Sequence, residues 1–464
     1  MKNTSEKSIL IGNGININFG GKAYSNEFIM KRIIFNALEN RYDPLFGGKI
    51  RGDEIAAIFR DLAKWANEIS EGKYDAFILD NEKTTLADFK ERYTCKLEHY
   101  YEVGLEDWLF ILYVFFLKNK DLLNDWPLVK QGFEQMMLDA IYNDGDIQKI
   151  YKSMGSSVKK WLLSYDNIFT LNYDNNIEEL INNPIFHLHG DYGTLADGEN
   201  PETVIGYINA SKGQSVVVPN FEHCYCNALF GYTGDYKYEI AFAFEKGEVG
   251  LRALAKSGIP SEYFPAPIAE MLQVHQEHPE LSFCSSYYFD KFRALTGELH
   301  IIGMSPNNDN HVFKLINESD LEKIVFYYYS KNEIQNLLPI DHKIEFRSVQ
   351  DLWKELKVLP KQYNCNYPLP KKEKMKSIFK LCNCLSGDQV SDEEIIKNVN
   401  SIPKFKANEL CKTVLEKIKK FETPKNEQEL EYQFRAISGI ALRMGILPSA
   451  LYIHLIMHRS ANKN

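Results

Sequence analysis

A mostly parallel β-sheet with helices on both faces is the architecture this sequence predicts, and three observations predict it. Short apolar runs end repeatedly in glycine or small polar residues: Ser8–Ile11 before Gly12-Asn13-Gly14, Asn167–Leu171 before Asn172, Ile185–Leu188 before His189-Gly190, and Leu299–Ile302 before Gly303-Met304-Ser305. Helix-periodic segments separate these runs, and strands alternating with helices pair in parallel through crossovers. The 464 residues also exceed what one core ordinarily organises, so more than one domain is expected.

The first strand, Ser8–Ile11, feeds straight into paired glycines, and Gly20-Gly21 follows. Glycine there permits a tight turn and lets backbone N–H groups approach an anion, as in a Rossmann-like dinucleotide site; an ordinary strand-to-helix turn uses the same residues. The full G-x-G-x-x-G spacing is absent, which excludes the hydride-transfer fingerprint. Helical spacing then dominates from about 26 to 160. Ile55, Phe59, Leu62, Trp65 and Ile69 form one stripe behind Asp53, a candidate N-cap. Leu105–Leu117 is apolar almost all round and reads as a buried helix, and Asn143–Asp146 as a turn.

Strand signals return at Asn167–Leu171 and Ile185–Leu188, with a short helix from Asp174 to Leu180 between them. Ala196–Pro219 mixes turn residues with β-prone pairs such as Val204-Ile205 and reads as a loop or small β excursion, while Glu239–Val274 reads as helix. Strand Leu299–Ile302, a helix over Asp309–Ile316, strands Lys323–Tyr328 and Lys343–Phe346, and a helix over Val349–Leu356 complete the pattern. A Pro- and Lys-rich linker over 359–374 leads to wholly helical spacing, with Thr423-Pro424 as cap and N1. The expected organisation is therefore a Rossmann-like domain over 1–360 carrying a helical insertion at 26–160, and an all-helical C-terminal domain over 370–464.

Bulk properties narrow the function classes. A net charge of −9 argues against a globally basic nucleic-acid surface, and the basic stretch Lys371–Lys376 reads as a solvated linker or as an indirect contact with nucleic acid held by a partner. The longest dense apolar run, Trp108–Leu117, is far short of the roughly 20 residues a membrane span needs, and no secretory signal is visible. The eight cysteines are scattered without zinc-ribbon or disulfide-framework spacing, so a reducing cytoplasm is the expected setting.

Ligands in open α/β sheets bind beyond the carboxyl ends of the strands, so the polar residues there are the candidates. Asn172 can hold a ribose hydroxyl or a water without bringing charge. Asp174 can serve the site or simply cap the next helix. His189 is the acid/base candidate, since imidazole titrates near working pH. His187 should share its face if the strand stays extended, and reads as a packed core histidine. Without a third ligand at convincing spacing, no metal is assigned. Gly303 and Ser305 can meet a phosphate or ribose, or Asn308 or Asp309 can merely cap a helix.

The ordered set resembles the sirtuin-like superfamily. Its members carry Gly-Ala-Gly-x-Ser with a further Gly four residues past the Ser, matched here by Gly12-Asn13-Gly14-Ile15-Asn16 and Gly20. They carry Thr-x-Asn-x-Asp, matched by Thr170–Asp174; His-Gly, matched by His189-Gly190; and a late Gly-x-Ser, matched by Gly303–Ser305. Asn13 and Asn16 replace the usual Ala and Ser, and the four-cysteine zinc module of the protein deacetylases is missing. The chain therefore resembles the zinc-less bacterial effectors of anti-phage defence. The resemblance implies an NAD+ glycohydrolase acting in abortive infection, with Asn172 and His189 catalytic. Gly12, Asn13, Gly14, Asn16, Gly20, Asp174, Gly303 and Ser305 would contact NAD, which is substrate rather than cofactor. It implies control by a homo-oligomer or a sensor protein subunit, with the helical insertion and tail as contact regions. A non-catalytic NAD or ADP-ribose sensor and an ADP-ribosyltransferase are the alternatives.

Overall fold

The structure is a computed structural model that describes residues 6–119, 126–213, 217–229, 234–260, 263–305, 309–331 and 340–358. The linker over 359–374, the C-terminal helical domain over 370–464 and Asn308 lie outside the described residues. Six strands form one all-parallel sheet: β1 (Lys7–Ile11), β2 (Asn167–Thr170), β3 (Phe186–His187), β4 (Thr296–Ile302), β5 (Asp320–Tyr328) and β6 (Ile344–Ser348). Their spatial order is β3-β2-β1-β4-β5-β6, which is the Rossmann order, and it reverses direction between β1 and β4.

The helices, in chain order, are α1 (Gly14–Gly20), α2 (Asn26–Leu38), α3 (Gly52–Ser70), α4 (Lys83–Arg92), α5 (Asp107–Lys118), α6 (Trp126–Tyr142), α7 (Gly155–Leu162), α8 (Asn176–Ile181), α9 (Val204–Ser211), α10 (Gly234–Lys256), α11 (Ala266–Glu277), α12 (Phe289–Arg293), α13 (Asn310–Asn317) and α14 (Val349–Glu355). Among the described residues, no helix is long and apolar enough to cross a membrane. The described cysteines, Cys95, Cys224, Cys226 and Cys284, are free thiols.

The described residues fall into two compact units. One comprises residues up to 19, 67–96 and those from 104 onward; it holds the whole sheet. The other comprises 20–66 and 97–103. In the second, Asn26 at the head of α2 donates through Nδ2 to the carbonyls of Tyr101 (3.0 Å) and Val103 (2.9 Å). Part of the predicted insertion, 67–96 and the residues after 104, thus belongs with the sheet.

Central β1 is buried from Ser8 to Ile11, the continuous apolar run expected of a strand covered on both faces. Leu10, Phe169, Leu299 and Ile301 meet Val312, Phe313, Leu315 and Ile316 of amphipathic α13 in one core. Burying each such side chain contributes about 1.5–3 kcal/mol, which fixes the strand ends that carry the site.

Three local readings are corrected. Val204-Ile205 opens α9 rather than a strand: the Thr203 side chain caps it by accepting from Gly206 N at 3.2 Å, and Val204 and Ile208 pack with Leu272 of α11. Tertiary burial has overridden the β-branched preference. The helix over 239–274 is two helices, because Gly258 turns left-handed (φ 71°) and Pro260 and Pro265 supply no backbone donor. Asp53 is not an N-cap, since α3 already starts at Gly52; it is an acidic residue in the first turn, where it complements the helix dipole.

Candidate active site at the carboxyl edge of the sheet

The turn after β1 and the turn after β4 are locked backbone to backbone. Gly12 N–H donates to Ile302 O (2.8 Å) and Gly14 N–H to Gly303 O (2.7 Å). A Cβ on Gly12 would lie 2.6 Å from Gly303 O, and one on Gly14 2.6 Å from Gly303 Cα. Gly303 itself is left-handed, φ 72°. The glycines therefore serve close approach of two loops at the switch point, and two of the N–H groups expected to face a phosphate are already bonded. Ser305 is exposed beyond this junction, and Gly20 closes the seven-residue α1.

Beside the junction lies a buried amide and carboxyl cluster. Asn16, 1 % exposed, donates through Nδ2 to Asp174 Oδ2 at 2.6 Å and to Asn13 Oδ1 at 3.4 Å; its own Oδ1 is buried with no hydrogen-bond partner among the described residues. Asp174 Oδ1 accepts from Asn176 N (3.1 Å) and Nδ2 (2.5 Å). Asp174 thus ties α1 to the start of α8, although the N-cap position of that helix is Asn175. Burial raises its carboxyl above the usual range, although the Asn16 and Asn176 bonds oppose the shift. Asn172 is held by its backbone N–H to Thr170 Oγ1 (3.0 Å), and its Nδ2 reaches Gly12 O at 3.4 Å.

The histidines part company because β3 ends at His187, and the strand alternation that would align them stops there. His187 is fixed from both ring nitrogens, with Nδ1 2.9 Å from Asn172 O and Nε2 paired with Glu178. Burial lowers its pKa, but the Glu178 bond and charge outweigh it, leaving the imidazole above its usual value. His189 turns away into a sharp bend. Gly190 has φ 74°, a Cβ there would sit 2.3 Å from Asn227 O, and Leu229 N–H clamps His189 O at 2.7 Å.

His189 Nε2 lies 2.8 Å from Nε2 of His311 in the first turn of α13. One residue follows β3 and the other follows β4, and β2 and β1 lie between those strands in the sheet. Asp309 and Lys237 complete this second cluster. Lys237, 2 % exposed on α10, pairs with Glu106. Burial would lower its pKa, but Glu106, Tyr173 and Asp309 hold it above the usual lysine value. Burial, then the charges of Lys237 and His311, hold His189 well below its ordinary value; burial, Lys237 and Lys314 do the same to His311. Both rings are therefore neutral, and one must donate to the other. Asp309 keeps some exposure but is enclosed enough that desolvation lifts its carboxyl to about 7, with Lys237 opposing and Glu106 adding to the shift.

No family model, curated protein or solved structure matches this chain. The site accordingly stands on its geometry.

That geometry gathers Gly12, Gly14, Asn16, Asn172, Asp174 and Gly303 around the junction of β1 and β4. It sets His189 in the adjoining histidine cluster. No hydrogen bond joins Asn172 to His189 among the described residues; Tyr173 lies between the clusters in sequence, bonding Leu229 O at 2.9 Å and feeling the Lys237 charge. Sequence reasoning missed His311, Lys237 and Glu106. His311 had one available signal, its place two residues past Asp309 at the head of a helix after a strand. Lys237 and Glu106 had none, since each sits among ordinary charged residues.

Proposed function

We propose that the chain hydrolyses NAD+ to nicotinamide and ADP-ribose, as a sirtuin-like effector of abortive infection controlled by self-association or a sensor subunit. The observation that carries this reading is the His189–His311 contact, which joins the segment after β3 to the segment after β4, one of the two strands at the switch point of the sheet. Open α/β sheets take nucleotides there.

The bond between ribose C1′ and the pyridinium nitrogen breaks, and its electron pair leaves with neutral nicotinamide. The ribose carbon becomes oxocarbenium-like, and water adds to it. Asn172, whose amide makes only a long bond to Gly12 O among the described residues, orients that water or a ribose hydroxyl. His189 takes the proton that the added water must shed and passes it to solvent, so NAD+ and water yield nicotinamide, ADP-ribose and one proton. A ring with depressed basicity suffices, because water bound to an oxocarbenium carbon is strongly acidic. Such proton transfers contribute typically 10²–10⁴-fold. Asp174 acts as a positioning residue through Asn16.

Purified full-length chain incubated with NAD+ should release nicotinamide. Asn172→Ala and His189→Ala should each abolish release while retaining the wild-type circular dichroism spectrum. Full activity in either folded variant refutes the assignment. The engagement of His189 by His311 favours a second reading, an NAD or ADP-ribose sensor; tight binding without nicotinamide release is its signature. Nicotinamide release with ADP-ribose appearing on a macromolecule marks a transferase.

A further inference from the structure

We propose that His189, Asp309 and His311 form, among the described residues, the preferred binding site for one divalent transition-metal ion of the zinc type. Their ligand atoms all lie within 4.8 Å of one another. Two imidazole nitrogens and one carboxylate oxygen are a donor set that suits such ions and leaves a fourth position open for water or a substrate oxygen. The two Nε2 atoms face each other at 2.8 Å. Around a tetrahedral ion with bonds of roughly 2.0–2.1 Å they would stand about 3.3 Å apart, so the rings need to part by only about half an ångström.

The donors come from firm supports. The His189 backbone is clamped by Leu229, and His311 is fully buried on α13, whose apolar face is part of the sheet core. The charge balance also permits a cation. Glu106 supplies the counter-charge to Lys237, and Asp309 supplies the one carboxyl of the donor set.

A rival trio exists in Asp139, His223 and Cys224, again with donor atoms within 4.8 Å. There Asp139 already pairs with His223 at 2.9 Å, and the Cys224 thiol donates to Gln135 O at 3.2 Å. That trio is internally satisfied, and it serves as the control.

The inference goes beyond the proposed activity and does not depend on it. Where the two meet, an ion on His189 Nε2 would occupy a nitrogen of the proposed base, so zinc should suppress nicotinamide release.

The test uses the full-length chain, stripped with chelator, given one equivalent of Zn²⁺, and assayed for bound metal by elemental mass spectrometry. One zinc per chain is expected, with affinity at least roughly a hundredfold weaker in His311→Ala and in Asp309→Ala and unchanged in His223→Ala and Cys224→Ser. X-ray absorption of the unmutated chain at one equivalent should show a nitrogen and oxygen shell with imidazole scattering, a readout that survives even if a variant fails to fold. Absence of bound zinc, retention in His311→Ala, or sulfur in the shell overturns the site. None of these readouts involves NAD+, so failure here leaves the hydrolase reading standing, and the converse holds.

Discussion

Gly303→Ala tests the locking of the β1 and β4 turns, because the structure supplies its own control. Gly303 (φ 72°) and Gly155 (φ 76°) have nearly the same left-handed backbone. An alanine in that conformation costs about 1–2 kcal/mol at either place. Both substitutions also restrict the unfolded chain equally, which cancels in the comparison. The surroundings differ completely. Nothing lies within 4 Å of a Cβ on Gly155, whereas one on Gly303 would meet Gly12 O and Ile15 N at 2.8 Å and Gly14 Cα at 3.1 Å. These are backbone atoms and cannot rotate aside. The collision should add about 1–3 kcal/mol, the range for overpacking. It would also push Gly14 N–H from Gly303 O. Urea unfolding of the full-length chain should therefore place Gly303→Ala about 2–5 kcal/mol below wild type and Gly155→Ala only about 1–2 kcal/mol below it. Equal losses in the two variants would show that the turns are not interlocked.

Asp174 should make stability depend on pH. Its carboxyl is raised in the fold, so its contribution is fully present below the unfolded value near 3.9 and is lost as pH rises through the folded value. Relative to Asp174→Asn, wild type should lose stability by urea midpoint as pH rises above about 4; a wild type that gains stability on the variant with rising pH contradicts the assignment. Glu106→Gln should cost about 3 kcal/mol, because it leaves the Lys237 ammonium buried without its counter-charge, whereas the double change with Lys237→Met should recover much of that loss. An additive double variant, by the same unfolding assay, would show that the two residues do not form a pair.

The strand ends were legible because their signal is local. Ile9, Leu10 and Ile11 are apolar, wholly buried and followed at once by glycine, and the same punctuation marks β4. The edge strand β3 shrank to two residues because the bend at Gly190 begins early, and that bend depends on Asn227, which no local pattern connects to His189. α9 was misread because Thr203 and the contact with α11 decide its conformation, not the pair Val204-Ile205. The histidine cluster was half legible. His189 announces itself beside glycine, but its partner is 122 residues away, and Lys237 becomes a buried charge only through Glu106, 131 residues away. A sequence shows which groups can ionise; it does not show which of them the fold will desolvate together.

The character of the edge bears on how NAD would lie in it. The described groups gathered there are carboxamides at Asn16 and Asn172, carboxyls at Asp174 and Asp309, neutral imidazoles, and a lysine already spent on Glu106. Gly12 and Gly14 have committed their N–H groups to β4. A pyrophosphate seeks N–H donors or a free cation, and this cluster supplies little of either. The nicotinamide riboside end, which carries the positive charge, is the better electrostatic match. Position within that end then matters for rate. A carboxylate beside the pyridinium stabilises a charge that disappears as the bond breaks, which slows the reaction. A carboxylate beside ribose C1′ stabilises the charge that appears. Asp309, with its carboxyl at about 7, can ionise when a cationic substrate arrives, and its placement next to His189 puts that new charge beside the proposed base. On the hydrolase reading, then, the ribose rather than the nicotinamide ring belongs against the histidine cluster.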